Sequence, residues 1–561
     1  MEKKWWQEAV IYEIYCKSFC DSNGDGIGDL QGVISKLPML KELGINCIWF
    51  TPIYTSPMVD NGYDIADYND IDPDYGTLAD FKELLDKAHA LGIRVIMDMA
   101  LNHSSDQCKW FQESRKSKDN PYRNYYIWQP PKADGTPPNN WGSYFREGDG
   151  SAWEFDETTG EYYLHQYSIK MPDLNWDYQP LRQDVYKMLR QWLDMGVDGF
   201  RLDVFTRLKK AAGLPDSPKT PDPILDRNGF VVDVDMCTCQ EGIHEILHDI
   251  YVNVFSHYDC FTVGEGSGIS PANAAEYLSQ SVEEVNTAYH FNLSNRKQAP
   301  FSVEKFRSVQ KQWADTMVHN VVPTQYMSNH DQQRQVSRHG NDGPYRVESA
   351  KLLATLIHTT PGIPFIYQGE EIGMVNVQFD SIADYDCCYT IGDYNAMIES
   401  GVSPEAALLE LGPKSRDNAR TPYQWDASEN AGFTTGKPWL KVNPRYTQIN
   451  LQADKNAPDS IFAYYQKLTA MRKTCPAIID GDLQFYLEDH PQVIMYTRRC
   501  ARQTLLVIAN KSNETLPVQI PQELKQYKWK RILTNREDTS PSMEENRQWL
   551  PWEAEVYTIE I

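Results

Sequence analysis

The chain has 561 residues, enough for two or three domains around a large core. Its 54 Lys and Arg face 78 Asp and Glu, a net charge of −24. That balance argues against nucleic acid or an anionic membrane as a partner, since both need clustered positive charge.

The N-terminal "MEKKWWQEAV" has no apolar signal segment, and no run of 18 apolar residues occurs. A soluble cytoplasmic protein, monomeric or weakly homo-oligomeric, is the expectation. The 11 cysteines are odd in number and scattered. Only Cys237-Thr-Cys239 and Cys387-Cys388 are close together, without the paired spacing of a zinc site, so they read as reduced thiols.

Strand-like and helix-like patterns alternate along most of the chain. Val10–Tyr15, Ile45–Ile53 and Arg94–Ala100 read as strands, with Leu78, Phe81, Leu85 and Ala88 at helical spacing before the third. An aromatic, Pro- and Gly-rich stretch follows, over residues 104–173, and predicts a small inserted domain. Leu181, Val185, Met188 and Trp192 then mark a helix, and Val197–Val204 a strand. Helix His244–Phe255, strands Cys260–Glu265 and Tyr289–Leu293, and helix Val303–Trp313 come next. Strand Pro323–Ser328, helix Arg346–His358 and strand Pro364–Gly369 complete eight units. Beyond Gly481 only short strands remain. The predicted class is α/β: a (β/α)₈ barrel over 1–103 and 174–480, and a C-terminal antiparallel β-sandwich over 481–561.

"VDGFRLDV" (Val197–Val204) places charge inside an apolar strand. Alternation puts Gly199, Arg201 and Asp203 on one face, and Phe200, Leu202 and Val204 on the other. In such barrels the chemistry sits at the C-terminal strand ends. Asp98, Asn102 and His103, then Arg201 and Asp203, then Glu265, then Asn329, His330 and Asp331, all fall on that rim. Converging carboxylates without a Cys/His cluster suit glycoside hydrolysis, in which two acids flank the sugar bond. The 12% aromatic content and 15 tryptophans offer flat surfaces for sugar rings.

"DMALNH" (Asp98–His103), "GFRLD" (Gly199–Asp203), "VGE" (Val263–Glu265) and "SNHD" (Ser328–Asp331) resemble, in order and spacing, the four signature regions of the α-amylase superfamily. "MPDLN" (Met171–Asn175) resembles its fifth. "DSNGDGIGDLQG", "NGYDIADY", "NNWGSYF" and "DNARTPYQW" resemble the oligo-1,6-glucosidase subgroup more narrowly, and the resemblance covers essentially the whole chain. It implies that Asp203 is the nucleophile, Glu265 the general acid/base and Asp331 a transition-state stabiliser. Arg201 would hold Asp203 ionised, and His103 and His330 would donate to hydroxyls of the −1 glucose. Asp64 and Arg420 match a pair that closes the pocket and makes such enzymes exo-acting. Val204 would line the +1 entrance, where Val accompanies α-1,6 cleavage. Met171 stands where the subgroup has Gln, and "GSGIS" after Glu265 and "FTRLKK" after Val204 also depart from its wording, so the leaving group is less defined than the glucose.

The Gly-rich loop "DSNGDGIGD" (Asp21–Asp29) resembles the start of an EF-hand loop, although its twelfth position is Gly32 rather than Glu. A structural Ca²⁺ on Asp21, Asn23, Asp25, Ile27 and Asp29 is the expectation, against a plain hydrogen-bonded turn. Rival readings within the enzymes are an α-1,4-glucosidase, a trehalose-6-phosphate hydrolase drawing on Lys209 and Lys210, and a sucrose isomerase drawing on Arg334 and Arg338. A non-catalytic transporter heavy chain shares the fold, but would carry a membrane helix and lack the full acid set.

Overall fold

The computed structural model describes residues 3–218, 227–232, 235–294, 299–537, 539, 543 and 547–560. Eight parallel strands form one sheet: β1 (Ile11–Ile14), β2 (Cys47–Phe50), β3 (Arg94–Ala100), β4 (Gly199–Asp203), β5 (Phe261–Glu265), β6 (Thr287–Tyr289), β7 (Thr324–Gln325) and β8 (Ile363–Tyr367). Their spatial order is β6-β5-β4-β3-β2-β1-β8-β7, so sequence neighbours are neighbours in space. This is the expected barrel. Its seam lies between β6 and β7, where no backbone ladder occurs among the described residues. Side-chain hydroxyls cross it instead: Thr324 donates to the Ala288 carbonyl at 2.9 Å, and Tyr326 to the His290 carbonyl at 2.8 Å.

The sixth strand sits earlier than the expected Tyr289–Leu293. Polar Asn286 and Thr287 interrupt the apolar pattern, yet both belong to the sheet edge, with Asn286 Oδ1 accepting from the Thr262 amide at 2.9 Å. The expected helices appear as Leu78–Ala90, Gln179–Met195, Ile243–Asn253, Val303–Thr316 and Arg346–Thr359. Two long helices escaped the pattern, Leu30–Leu43 and Ile461–Thr474. The first contains Gly32 and Pro38, but Asp29 caps its N-terminus and Gly44 closes it at φ 92°.

Between β3 and β4 lies a three-stranded antiparallel sheet of Trp128–Gln129, Glu161–Leu164 and Trp153–Asp156. A bridge between His103 and Asp173 joins the two ends of this excursion at its base. A second excursion follows β8 and carries helices Cys388–Glu399, Pro404–Leu411 and Asp417–Arg420. Arg146 and Asp393, 2.6 Å apart, tie the two excursions together. A short ladder between Tyr54–Thr55 and Asp67–Ile71 shapes the loop after β2, with Asp67 exposed and away from the cavity described below. At the C-terminus, five antiparallel strands face a two-stranded ladder, Leu516–Pro517 with Gln548–Trp549, across a core that includes Met495, Ile508, Val518 and Trp549. The sandwich is therefore unequal in its layers.

Inside the barrel the inward positions are apolar at the base: Ile11, Cys47, Ile96, Phe261 and Ile363. Further up they turn ionisable on four strands, at Glu13, Asp98, Arg201 and Asp203, and Glu265. The registers pair Ile96 with Gly199 and Asp98 with Arg201, so the charges of β3 and β4 lie side by side. Gly199 makes this possible. Its φ of 149° is nearly confined to glycine, and a Cβ there would stand 1.9 Å from the Phe261 carbonyl oxygen. Gly199→Ala must force β4 and β5 apart. We expect a loss of at least about 3 kcal/mol of stability, read as a lower urea midpoint; a loss below about 1 kcal/mol would mean that the junction relaxes freely.

Candidate active site

Arg201 is 2% exposed and is shared by three carboxylates. Its Nη1 donates to Asp98 at 2.7 and 3.0 Å and to Asp203 Oδ1 at 2.7 Å, while Nη2 donates to Glu265. Each acid comes from a different strand, so the barrel rather than any local turn assembles the cluster. Asp203 and Glu265 thus meet on one guanidinium, one at Nη1 and the other at Nη2. That sharing suits the close carboxyl pair of a retaining site better than the wider pair of an inverting one.

Burial dominates the protonation of this cluster. It raises Asp98 and Asp203 to about 6 although Arg201 pulls both down. It raises Glu265 to about 8, with the Asp203 charge adding to the rise. The expectation that Arg201 keeps Asp203 ionised holds as a direction of force, but desolvation outweighs it. At neutral pH the two acids still divide, one ionised and one protonated, the pattern of a nucleophile beside an acid.

Both histidines are neutral. Burial lowers His103 to about 4 and His330 to about 3. His103 lines the cavity, and its Nε2 is buried with no partner among the described residues, open to a hydroxyl. His330 differs from expectation. Its Nδ1 meets Glu13 at 2.6 Å and its Nε2 meets the Tyr63 hydroxyl at 2.7 Å. Both ring nitrogens are engaged, so it braces Tyr63, which in turn donates to Asp98 at 2.8 Å.

The expected Asp64–Arg420 pair does not form. Asp64 is fully buried and turns back to accept from the amides of Val59 and Asp60 at 2.9 and 3.0 Å. Arg420 donates to the His330 carbonyl and, at 2.8 Å, to Asp331. The pair at the cavity is Asp60 with Arg416, 2.7 Å apart, and Arg416 also reaches Asp331 at 3.2 Å. Asp60 and Arg416 each lie four residues from the residue chosen by motif. Spacing alone did not discriminate, because all four belong to the same two loops.

The cavity has a volume of about 250 Å³, small beside typical ligand pockets. Asp331, Met171, Phe145, Tyr389 and Ser267 are among the residues on its wall. Phe145 meets Tyr389 edge-on at 6.1 Å, so the two excursions touch above it. Val204 also lines it. The strand alternation stops at Asp203, and Val204 adopts φ 36° and ψ 41°, a left-handed conformation costly for a β-branched residue. That kink turns its side chain from the core face into the cavity.

The loop Asp21–Asp29 is a set of side-chain-stabilised turns. Asp21 accepts from the amides of Asn23, Gly24 and Gly26, Asn23 from that of Asp25, and Asp25 from that of Ile27. Asp29 accepts from Ser22 and from the Gly32 amide. Among the described residues no three His, Cys, Asp or Glu converge as a metal-holding group. A cation here would therefore use Asn23 and the Ile27 carbonyl beside the carboxylates, a hard oxygen set that suits Ca²⁺.

The catalytic-domain family of alpha-amylase matches residues 13–481. The oligo-1,6-glucosidase of Parageobacillus thermoglucosidasius is 46% identical over the full length of both chains. Among solved structures, the trehalose-6-phosphate hydrolase of Bacillus licheniformis superposes with a TM-score of 0.91 at 41% identity, covering 100% of both chains. The trehalulose synthase of Pseudomonas mesoacidophila MX-45 does so with a TM-score of 0.93 at 39% identity, again over 100% of both. With its barrel, its rim of acids and these relatives, the chain belongs to the alpha-amylase family.

Proposed function

We propose that the protein is an exo-acting, retaining α-glucosidase that releases glucose from short oligosaccharides, with α-1,6 bonds preferred. The observation that carries this reading is the pairing of Asp203 and Glu265 on one guanidinium, inside a cavity that Asp60 and Arg416 line as an ion pair. Asp203 attacks the anomeric carbon while Glu265 protonates the departing oxygen. Water then hydrolyses the glucosyl-enzyme with Glu265 as base. Asp331, held by Arg416 and Arg420, binds hydroxyls of the −1 glucose beside His103. The Asp60–Arg416 pair stops a polymer from threading through. Relatives named oligo-1,6-glucosidase support the linkage.

The rivals find less support. Lys209 pairs with Asp177, and Lys210 with Asp173 at 3.0 Å and Asn102 at 2.7 Å, so neither is free for a phosphate. Arg334 donates to three backbone carbonyls, and Arg338 turns to Ser294 and Gln332. A cytoplasmic location belongs to the same proposal, supported by eleven free thiols. No helix among the described residues is long and apolar enough to cross a membrane.

The division of protonation states gives a pH test. A proton on Asp203 below about 6 removes the nucleophile, and its loss from Glu265 above about 8 removes the acid. The kcat/KM for isomaltose should therefore be bell-shaped between these limbs. Glu265→Gln should lose at least about a thousandfold on isomaltose and retain more on aryl glucosides, whose departure needs little protonation, with the basic limb gone. A basic limb that survives in Glu265→Gln would assign the acid elsewhere.

Val204 supplies the linkage test. Its stiff, branched side chain narrows the aglycone entrance, and an α-1,6 link can swing past it on an extra rotatable bond. Val204→Thr should lower the isomaltose-to-maltose ratio of kcat/KM by about tenfold, or ~1.4 kcal/mol. An unchanged ratio would leave Val204 as packing.

The Ca²⁺ on the Asp21–Asp29 loop is part of the proposal as a structural ion, remote from the chemistry. Saturating Ca²⁺ should add about 2–3 kcal/mol and raise the thermal midpoint of the natural protein, with no rise in Asp21→Asn. Equal midpoints in Ca²⁺ and in chelator would remove the ion.

A further inference from the structure

Arg207 ends the short helix Phe205–Arg207 that Val204 opens, within the segment whose wording departs from the subgroup. Its side chain is 6% exposed, yet among the described residues no carboxylate pairs with it. Among those residues its side chain makes one hydrogen bond, from Nη1 to the Tyr167 hydroxyl at 2.9 Å. Its Nε is buried without a partner. Otherwise the guanidinium lies over aromatic rings, 4.5 Å from the centre of Tyr144 and 5.7 Å from that of Tyr167. The buried arginines that touch the acids of the site differ in this respect: Arg201, Arg416 and Arg420 each have a carboxylate.

A cation withdrawn from water without an anion is costly to maintain, and stacking on two rings recovers only part of that cost. The rings connect it to the reaction. Tyr144 and Tyr167 both line the cavity, and they stack on each other at 5.3 Å and 25°. Tyr167 also touches His103, at 5.2 Å, on the glucose side. One stack thus runs from the glucose-binding histidine to the loop that carries Val204.

We infer that Arg207 is a specificity-determining residue for the leaving group, fixing Tyr144 and Tyr167 as a platform and offering its unused N–H groups to a hydroxyl-rich sugar aglycone. This rests on the α-glucosidase reading above. A sugar aglycone lays its ring on the platform and accepts from the guanidinium. An aryl aglycone can use the rings but has no hydroxyl to accept.

The test compares kcat/KM for isomaltose and isomaltulose with that for p-nitrophenyl α-glucoside, in the natural protein, in Arg207→Gln and in Tyr167→Phe. Tyr167→Phe keeps the ring and removes only the hydroxyl that accepts from Arg207, so it stays informative if Arg207→Gln folds poorly. The disaccharide-to-aryl ratio should fall at least tenfold in Arg207→Gln, and in the same direction but less in Tyr167→Phe. Transfer of glucose onto added sugar acceptors, which enter by the same subsite, should fall with it. A parallel loss on all three substrates, or a ratio within twofold of the natural protein, would make Arg207 a packing residue. A natural protein that cleaved none of these glucosides would instead refute the parent reading.

Discussion

A single guanidinium in the mouth of the barrel, surrounded by three acids, is the constraint on which the rest of the structure depends. Arg201 is costly to withdraw from water without its carboxylates, and they are costly to gather around one point without it. Each strand must therefore hold its register, since a slip of one residue would turn its acid to the opposite face. Gly199 beneath Arg201, the in-register pairing of Asp98 with Arg201, and the hydroxyl-sealed seam between β6 and β7 all serve that alignment.

The loops carry a different burden. The strands supply charges that any α-glycosidic bond could use, whereas in the proposed reading selection falls to the loops: the excursions after β3 and β8, the loop after β2 that brings Asp60, and the turn after β4 that carries Val204 and Arg207. Arg416 comes from the β8 excursion, Phe145 and Tyr167 from the β3 one, and the Arg146–Asp393 pair holds the two excursions in mutual position. Asp331 joins the two functions, because it stands at a barrel strand end but is oriented by arginines from the β8 excursion. Substrate range can then vary through the loops while the acids stay in place.

Much of this was legible in the sequence. Alternating periodicities disclosed the barrel, and the anomaly of Arg201 and Asp203 inside an apolar strand located the rim. What failed had physical causes. Asp60 and Asp64, like Arg416 and Arg420, occupy the same loops four residues apart. Only the fold shows that Asp64 is committed to backbone amides and Arg420 to Asp331. His330 lay in a signature region, but its nitrogens are claimed by Glu13, from the first strand, and Tyr63, from the loop after the second. Strand alternation put Val204 in the core, and a backbone kink that no periodicity encodes brings it to the cavity. Helix Leu30–Leu43 was hidden by a glycine and a proline that its Asp29 cap offsets.

The sharing of Arg201 also makes the site electrically self-timing. Part of what holds the proton on Glu265 is the negative charge of Asp203. In the proposed reaction, esterification of Asp203 to the sugar removes that charge, while Arg201 remains beside Glu265. The same side chain that was an acid in the first half of the cycle becomes easier to ionise as the second half begins, when a base is needed. Breakdown of the ester restores the charge on Asp203 and the affinity of Glu265 for its proton. The covalent bond itself sets the alternation, with no moving part.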